Sequence, residues 1–262
     1  MAHHAEPVPG LRVDHASIEV PDLGEAVRRL DALGLSVTVT PEAPDRHGRV
    51  LLDRSYLEVT VAAAPGDRWI VSSWFLGFDD LPALRAHLDA AGLSYRHEPY
   101  EGVDGTWDDV QVDADEVPVP ILVRRTAPAD VARSWPPALR EPHPGGATAI
   151  SAVHVSVPAL EPAVATYARL LDTRPSTVDA RRGRVAFRLG DARIVLTERD
   201  ADLAVVLAVA SVERMRERIG PAVGAPRDGV AWVDPAAASG LRLGFAGPAH
   251  GSDAGAGRGR IS

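Results

Sequence analysis

One pattern constrains the fold of this chain more than any other: residues 13–61 contain a strand, a capped helix and three further strands. From His15 to Val20, polar and apolar side chains alternate strictly, which is typical of a strand with one buried face. Asp22 then offers a helix N-cap, with Glu25 three residues later as its capping-box partner. Apolar residues recur at helical spacing up to Gly34, and glycine commonly ends a helix. The pattern predicts a strand followed by a helix of about twelve residues.

Three strands are expected after this helix, at residues 36–40, 49–53 and 56–61. In the last strand, apolar residues share one face and Glu58 lies on the other. If the apolar faces pack on the helix, His15 and Glu58 turn toward the opposite, concave side of the sheet. The unit is βαβββ, and its polar face has the character of a site.

The same unit occurs four times, which predicts an α+β fold of tandem βαβββ modules in two halves. The second module begins at Trp69, the third at Ile150 and the fourth at Leu203, and the fourth has a lost or shortened strand. A segment rich in proline and glycine separates the halves. The predicted organisation is an N-terminal extension (1–10), a first half (11–126), a linker (127–149), a degenerate second half (150–248) and a tail (249–262).

Several residues of the first module carry a resemblance to a known family. His15, the pair Pro21-Asp22 six residues later, a helix and a Tyr-Leu-Glu strand at 56–58 resemble one module of the vicinal oxygen chelate superfamily. The likeness is to its glyoxalase-like branch, which covers the glyoxalase, bleomycin resistance and extradiol dioxygenase type. The resemblance implies that paired modules form half-open barrels. It also implies a divalent metal (Fe, Mn, Ni or Zn) with His15 and Glu58 as its ligands.

A working metal site usually needs three protein ligands, so a third donor is required. Candidates are His47 in the loop entering the third strand, Glu19 on the face of His15, and more weakly His97. These apply if sequential modules pair. If modules from the two halves pair instead, His154 completes a set with His15 and Glu58.

The second half keeps polar residues but loses the metal ligands. Alignment of the third module on the first sets Ala152 and Val195 at the two ligand positions. His154 and Arg193 still point to the concave face. Together with His47 and Tyr56, they are the predicted substrate-binding residues.

Composition limits the function classes. The net charge of −8 argues against a nucleic-acid partner, because binding phosphates requires a concentrated positive surface. There are no cysteines, which excludes disulfides and a thiol nucleophile and suits a reducing cytoplasm. No stretch has the length and apolar character of a membrane span. We expect a cytoplasmic monomer, or a weak dimer, with a small molecule as its partner.

Two functional hypotheses from different classes follow. The first is a metal-dependent lyase, isomerase or dioxygenase acting on a small oxygen-rich molecule, in which Glu58 or Glu19 moves a proton. Classical glyoxalase I activity is not favoured, because the four-ligand set is incomplete. The second is a metal-free protein that binds or sequesters a small molecule, such as a drug, in its barrel.

Overall fold

A computed structural model describes residues 10–39, 46–63, 66–102, 105–126, 142–198 and 202–248. The N-terminal extension up to residue 9, most of the predicted linker and the tail lie outside these residues. So does most of the predicted loop at 41–48, of which residues 46–48 are described.

The first half forms one eight-stranded mixed sheet with two helices. Its elements are β1 (Arg12–Val20), α1 (Leu23–Ala32), β2 (Thr38–Val39), β3 (His47–Leu51), β4 (Tyr56–Val61), β5 (Ile70–Gly77), α2 (Leu81–Ala90), β6 (Ser94–Gly102), β7 (Gly105–Asp113) and β8 (Ile121–Thr126). The strand order is β2-β3-β4-β1-β5-β8-β7-β6. Strand β1 pairs with β4 in parallel and with β5 antiparallel, so the first two modules share a sheet through their first strands.

The second half repeats this arrangement with seven strands. Its elements are β9 (Ala147–Ser156), α3 (Leu160–Leu170), β10 (Thr177–Asp179), β11 (Arg184–Leu189), β12 (Ala192–Thr197), β13 (Ala204–Val209), α4 (Val212–Ile219), β14 (Val230–Trp232) and β15 (Leu243–Ala246). The order is β10-β11-β12-β9-β13-β15-β14. The prediction of four tandem modules in two half-open barrels is confirmed, and among the described residues the fourth module has one strand fewer than the others.

The sheet topology settles which modules pair. Each sheet is built from two sequential modules, and no described strand of one half pairs with a strand of the other. His154 lies on β9 in the second sheet, so the alternative in which it joins His15 and Glu58 is wrong.

Helix α1 starts at the predicted cap, and strand ends differ modestly from the prediction. Asp22 accepts a hydrogen bond from the Glu25 backbone N–H, and Asp80 caps α2 in the same way. Gly34 has a φ of +72°, as expected at a helix end. Of the described residues 36–39 in the predicted strand at 36–40, Thr38–Val39 pair in the sheet, and the third module begins at Ala147, inside the predicted linker.

Tyr167 ties the two halves together. Its ring is fully buried on α3 and lies 6.5 Å from the ring of Trp74, which belongs to the first half. Its hydroxyl donates a 2.6 Å hydrogen bond to the carbonyl of Pro118, also in the first half. One core cluster therefore runs through both halves.

Removing this hydroxyl should weaken the whole molecule. We expect Tyr167→Phe to lower the free energy of unfolding by about 1 kcal/mol, because the hydrogen bond from the Tyr167 hydroxyl to the Pro118 carbonyl is lost. Urea denaturation measures the change. Tyr95→Phe is the control, since the Tyr95 hydroxyl has no hydrogen bond to the part of the chain that the structure describes. Equal stabilities of the two variants would contradict the prediction.

Candidate active site

His15 is the most constrained side chain on the concave face of the first sheet. Its ring is buried between two aromatic rings: that of Tyr56 on β4, with centroids 4.4 Å apart, and that of Phe75 on β5, 3.9 Å apart. Both pairs are nearly parallel. They follow from the register, because Tyr56 and Phe75 are the residues opposite His15 on its two neighbouring strands.

A hydrogen bond to Asp14 fixes the tautomer of His15. The Nδ1 atom of His15 lies 2.8 Å from Oδ1 of Asp14. A carboxylate only accepts, so Nδ1 carries a hydrogen and donates it to Asp14, and in the neutral ring this leaves Nε2 as the basic nitrogen. The imidazole is thus held in one orientation and one tautomer.

Glu58 is held by two hydrogen bonds on the same face. Ser17 donates to its Oε2 at 2.8 Å, and Nε2 of His47 donates to its Oε1 at 2.8 Å. Burial raises the pKa of Glu58, but the His47 hydrogen bond, the nearby charge of His15 and the Ser17 hydrogen bond outweigh it and lower this pKa to about 2. Glu58 is therefore a permanent negative charge beside His15.

Asp109 on β7 is a site residue that sequence reasoning missed. Its Oδ1 atom is buried and has no hydrogen-bond partner within the described residues. Burial raises its pKa, the charge of His15 opposes the rise, and the carboxylates of Glu98, Asp108 and Glu58 add to it. These interactions place Asp109 in the electrostatic field of His15 and Glu58. The sequence contains a signal for this residue. Asp109 lies in a predicted strand, on the face opposite to Val110 and Val112, and aspartate is uncommon in strands.

The other predicted candidates lie elsewhere. Glu19 shares the face of His15 but is four residues further along β1, about 13 Å away. His97 pairs with Asp108 at 2.8 Å and also contacts Arg85 on α2, so it faces the helices. Of the proposed third ligands, only His47 reaches Glu58.

The donors do not fit a divalent metal as they are arranged. No group of three or more histidine, aspartate or glutamate side chains within the described ranges is placed to hold a metal ion. Both Glu58 oxygens already accept protein hydrogen bonds, and His47 points its Nε2 at the carboxylate. We therefore assign no step of the chemistry to a metal.

A cavity of about 540 Å³ opens beside this cluster. Asp14 and Tyr56, which both contact His15, line it. It also contains four arginines and two aspartates: Arg12, Arg49, Arg124, Arg125, Asp14 and Asp79. The cavity is large enough for a small molecule and carries an excess of positive charge.

Comparison with known proteins supports the family. The model of the glyoxalase-like domain family matches residues 13–171, more than half of the chain. The chain belongs to this glyoxalase-like family. It is thereby a member of the vicinal oxygen chelate superfamily, as the resemblance of the first module implies.

Solved structures show the same fold for this glyoxalase-like protein. The Mn(II)-bound glyoxalase from Novosphingobium aromaticivorans superimposes with a TM-score of 0.65 at 16% identity, covering 94% of this chain and 84% of that one. An extradiol ring-cleaving dioxygenase from B. fuscum gives 0.64 at 14% identity, with coverage of 93% and 73%. A hypothetical protein from Staphylococcus aureus gives 0.62 at 11% identity, with coverage of 90% and 99%. A comparison with curated proteins finds no match. No helix in the described part of the chain is long and apolar enough to cross a membrane.

The buried carboxyl of Asp109 should cost the protein stability. We expect Asp109→Asn to raise the free energy of unfolding by about 1 kcal/mol at neutral pH, because burial and the nearby carboxylates disfavour the ionised form of Asp109 and an amide has no such form. Chemical denaturation measures the change. Asp113→Asn, at the exposed end of the same strand, is the matched control and should have no effect. Destabilisation by Asp109→Asn would show that this carboxyl has a partner.

Proposed function

We propose that the first barrel binds a small oxygen-rich anion and moves a proton on it, as an isomerase or a lyase does. The observation that carries this proposal is the geometry of His15, whose ring is fixed by Asp14 through Nδ1 and by two stacked rings, while Nε2 has no hydrogen-bond partner in the described residues. A base held in one geometry needs no rearrangement at the moment of reaction.

His15 acts as the general base. It takes a proton from a carbon next to a substrate carbonyl: the C–H bond breaks, the proton goes to Nε2, and the electron pair moves onto the carbonyl oxygen. Asp14 and the ionised Glu58 both stabilise the imidazolium that forms. Glu58 therefore remains a predicted catalytic residue, but it stabilises the charge of the imidazolium and does not itself move a proton.

Asp109 is the proposed acid partner. Its pKa is raised while that of Glu58 is lowered, and such a separation of two carboxyls is typical of acid and base roles at one site. Asp109 donates its proton to the oxygen that gains the electron pair, which gives an enol. Return of a proton at a different carbon completes an isomerisation, and departure of a leaving group completes an elimination.

The cavity lining supports an anionic substrate. Arg12 pairs with Asp79, and Arg124 pairs with Asp108. Arg49 lies over the ring of Tyr56 at 5.5 Å, and Arg125 over that of Trp107 at 5.8 Å. Together these four guanidinium groups make the cavity positive, and guanidinium groups are the side chains best suited to pair with a carboxylate. His47 and Tyr56 remain predicted substrate-binding residues.

The divalent metal remains a prediction for this chain. The Mn(II)-bound glyoxalase of the same fold is consistent with metal use among such proteins. The donor geometry favours the lyase and isomerase options over the dioxygenase option, because only the last depends on a redox metal. Glu19 has no role in this proposal.

Hydrogen exchange tests the proposal without knowledge of the substrate. A panel of small 2-oxo and 3-oxo acids is incubated with the protein in D₂O, and proton NMR follows deuterium entry next to the carbonyl. We expect protein-dependent exchange in at least one acid. His97→Gln is the matched control, because it removes an Asp–His pair from the helix side of the same sheet. Exchange that is lost in this variant would not originate at His15.

Metal-free binding is the second candidate. It is favoured by the absence of the family-position ligands in the second half, where Ala152 and Val195 replace them. Saturable binding of an oxo acid to the first cavity without any exchange would support this function over proton transfer.

A further inference from the structure

The second barrel contains a separate cavity of about 680 Å³. Its floor is the concave face of the second sheet, where small apolar side chains from adjacent strands lie side by side, among them Ala152, Ala186, Val195 and Val206. Trp232 forms one wall. Gly244 allows this wall to lie close to the sheet, since a Cβ at Gly244 would be 3.0 Å from the Trp232 ring. The cavity therefore has a flat apolar part.

Positive charge lines the rest of this cavity. The lining contains the arginines Arg182, Arg184, Arg193, Arg227 and Arg242 and the aspartates Asp202 and Asp228. Five positive and two negative charges leave an excess of three. In a chain with a net charge of −8, this local excess is notable.

The two aspartates are already engaged. Asp228 pairs with Arg182 at 2.7 Å and with Arg184 at 3.3 Å, and Asp202 pairs with Arg68 of the first half. Within the described ranges, Arg193, Arg227 and Arg242 have no carboxylate partner. Arg242 donates to the carbonyl of Asp202 at 2.8 Å and lies 5.8 Å above the Trp232 ring.

His154 lies at the centre of this charge. Its ring meets the edge of Trp232 at 5.4 Å, and no protein hydrogen bond holds it within the described ranges. Burial and the charges of Arg184, Arg242 and Arg193 lower its pKa to about 4, so the imidazole is neutral at neutral pH. These arginines come from different strands and loops, and their charges converge on one point.

We infer that this cavity binds a small organic dianion, a phosphate monoester or a dicarboxylate, whose flat body packs against Trp232. Arg193, Arg227 and Arg242 supply the charge that the aspartates do not neutralise. A ligand with two negative charges matches the excess positive charge of the cavity better than a ligand with one. Guanidinium groups form bidentate hydrogen bonds with carboxylate and phosphate. The site is distinct from the first barrel and does not depend on the proton transfer proposed there.

Calorimetric titration at pH 7.5 tests this inference with four probes: phenyl phosphate, phthalate, benzoate and benzyltrimethylammonium. We expect one dianion per chain to bind saturably, at least tenfold more tightly than benzoate, and the cation not to bind. A preference for phenyl phosphate identifies a phosphate ester as the ligand class, and a preference for phthalate identifies a dicarboxylate.

Variants locate the binding. Arg193→Gln and Arg242→Gln should each weaken the dianion at least tenfold, whereas Arg188→Gln, on the neighbouring strand and outside the cavity, should not. The His154 ring signals in NMR should shift on binding in the wild type and in Arg188→Gln, and at the same dianion concentration should shift much less in Arg193→Gln and Arg242→Gln. Two results would overturn the inference: neither dianion binds saturably, or Arg49→Gln in the first cavity abolishes binding while Arg193→Gln leaves it unchanged. Circular dichroism checks that each variant is folded.

Discussion

Replacing His15 with glutamine should lower the rate of carbon-bound hydrogen exchange by about 10²- to 10⁴-fold. Glutamine keeps a polar side chain of similar length between Tyr56 and Phe75, but it cannot accept a proton at neutral pH. The loss therefore reports on the base and not on the packing of the cavity. The rate is measured by NMR in D₂O on the oxo acid that exchanges fastest with the wild type.

Asp14→Asn distinguishes the contribution of the Asp14 charge from that of the His15 ring. An asparagine oxygen still accepts from Nδ1 of His15, but the negative charge is gone, so exchange should slow less than in His15→Gln. The ¹⁵N shifts of the ring should continue to show hydrogen on Nδ1. Wild-type exchange in His15→Gln would remove His15 from the mechanism.

Acidification should destabilise the protein between pH 6.5 and pH 4 because of His154. The pKa of His154 is about 4 in the folded protein, against 6.5 for an ordinary histidine. In this window the unfolded chain binds the proton and the folded one does not, so stability falls as pH falls. The difference in pKa corresponds to about 3 kcal/mol lost by pH 4.

His154→Phe tests this assignment. The variant has no group to titrate at this position, so its free energy of unfolding should change about 3 kcal/mol less than that of the wild type between pH 7 and pH 4. Comparing the changes with pH, and not the absolute stabilities, removes the effect of repacking against Trp232. An equal pH response in wild type and His154→Phe would contradict the role of His154.

Glu58 affects stability at lower pH. Its pKa is about 2 in the folded protein against 4.5 ordinarily, so its contribution to stability is present above pH 4.5 and is lost toward pH 2.

Local pattern was sufficient to predict the modules. The strand at Tyr56–Val61 has the predicted bounds, since its alternation reports directly which face is buried. The strand predicted at 36–40 was started two residues too early, because pairing with β3 decides where β2 begins and the sequence of β2 does not contain that information. The placement of His15 and Glu58 on the concave face followed from the same alternation.

The remainder of the candidate site depends on how the barrels close. Asp109 lies on β7, at the far side of the sheet from Glu58, and only the curvature of the sheet brings its charge toward that of Glu58. In the second barrel, Arg193 was predicted by parity, whereas Arg227 and Arg242 precede their strands and no periodicity marks them. The sequence therefore did not predict the site residues whose positions depend on contacts between distant segments.

The most direct test of the central claim is hydrogen exchange on protein from which metal has been removed with a chelator, with the metal content measured by mass spectrometry. Proton transfer by His15 predicts an unchanged exchange rate and metal far below one ion per chain. Exchange that disappears on chelation and returns with Mn(II), Fe(II), Ni(II) or Zn(II) would contradict it. So would a near-stoichiometric metal that is lost in a His15→Ala, Glu58→Ala double variant, and either result would restore the metal site between those two residues.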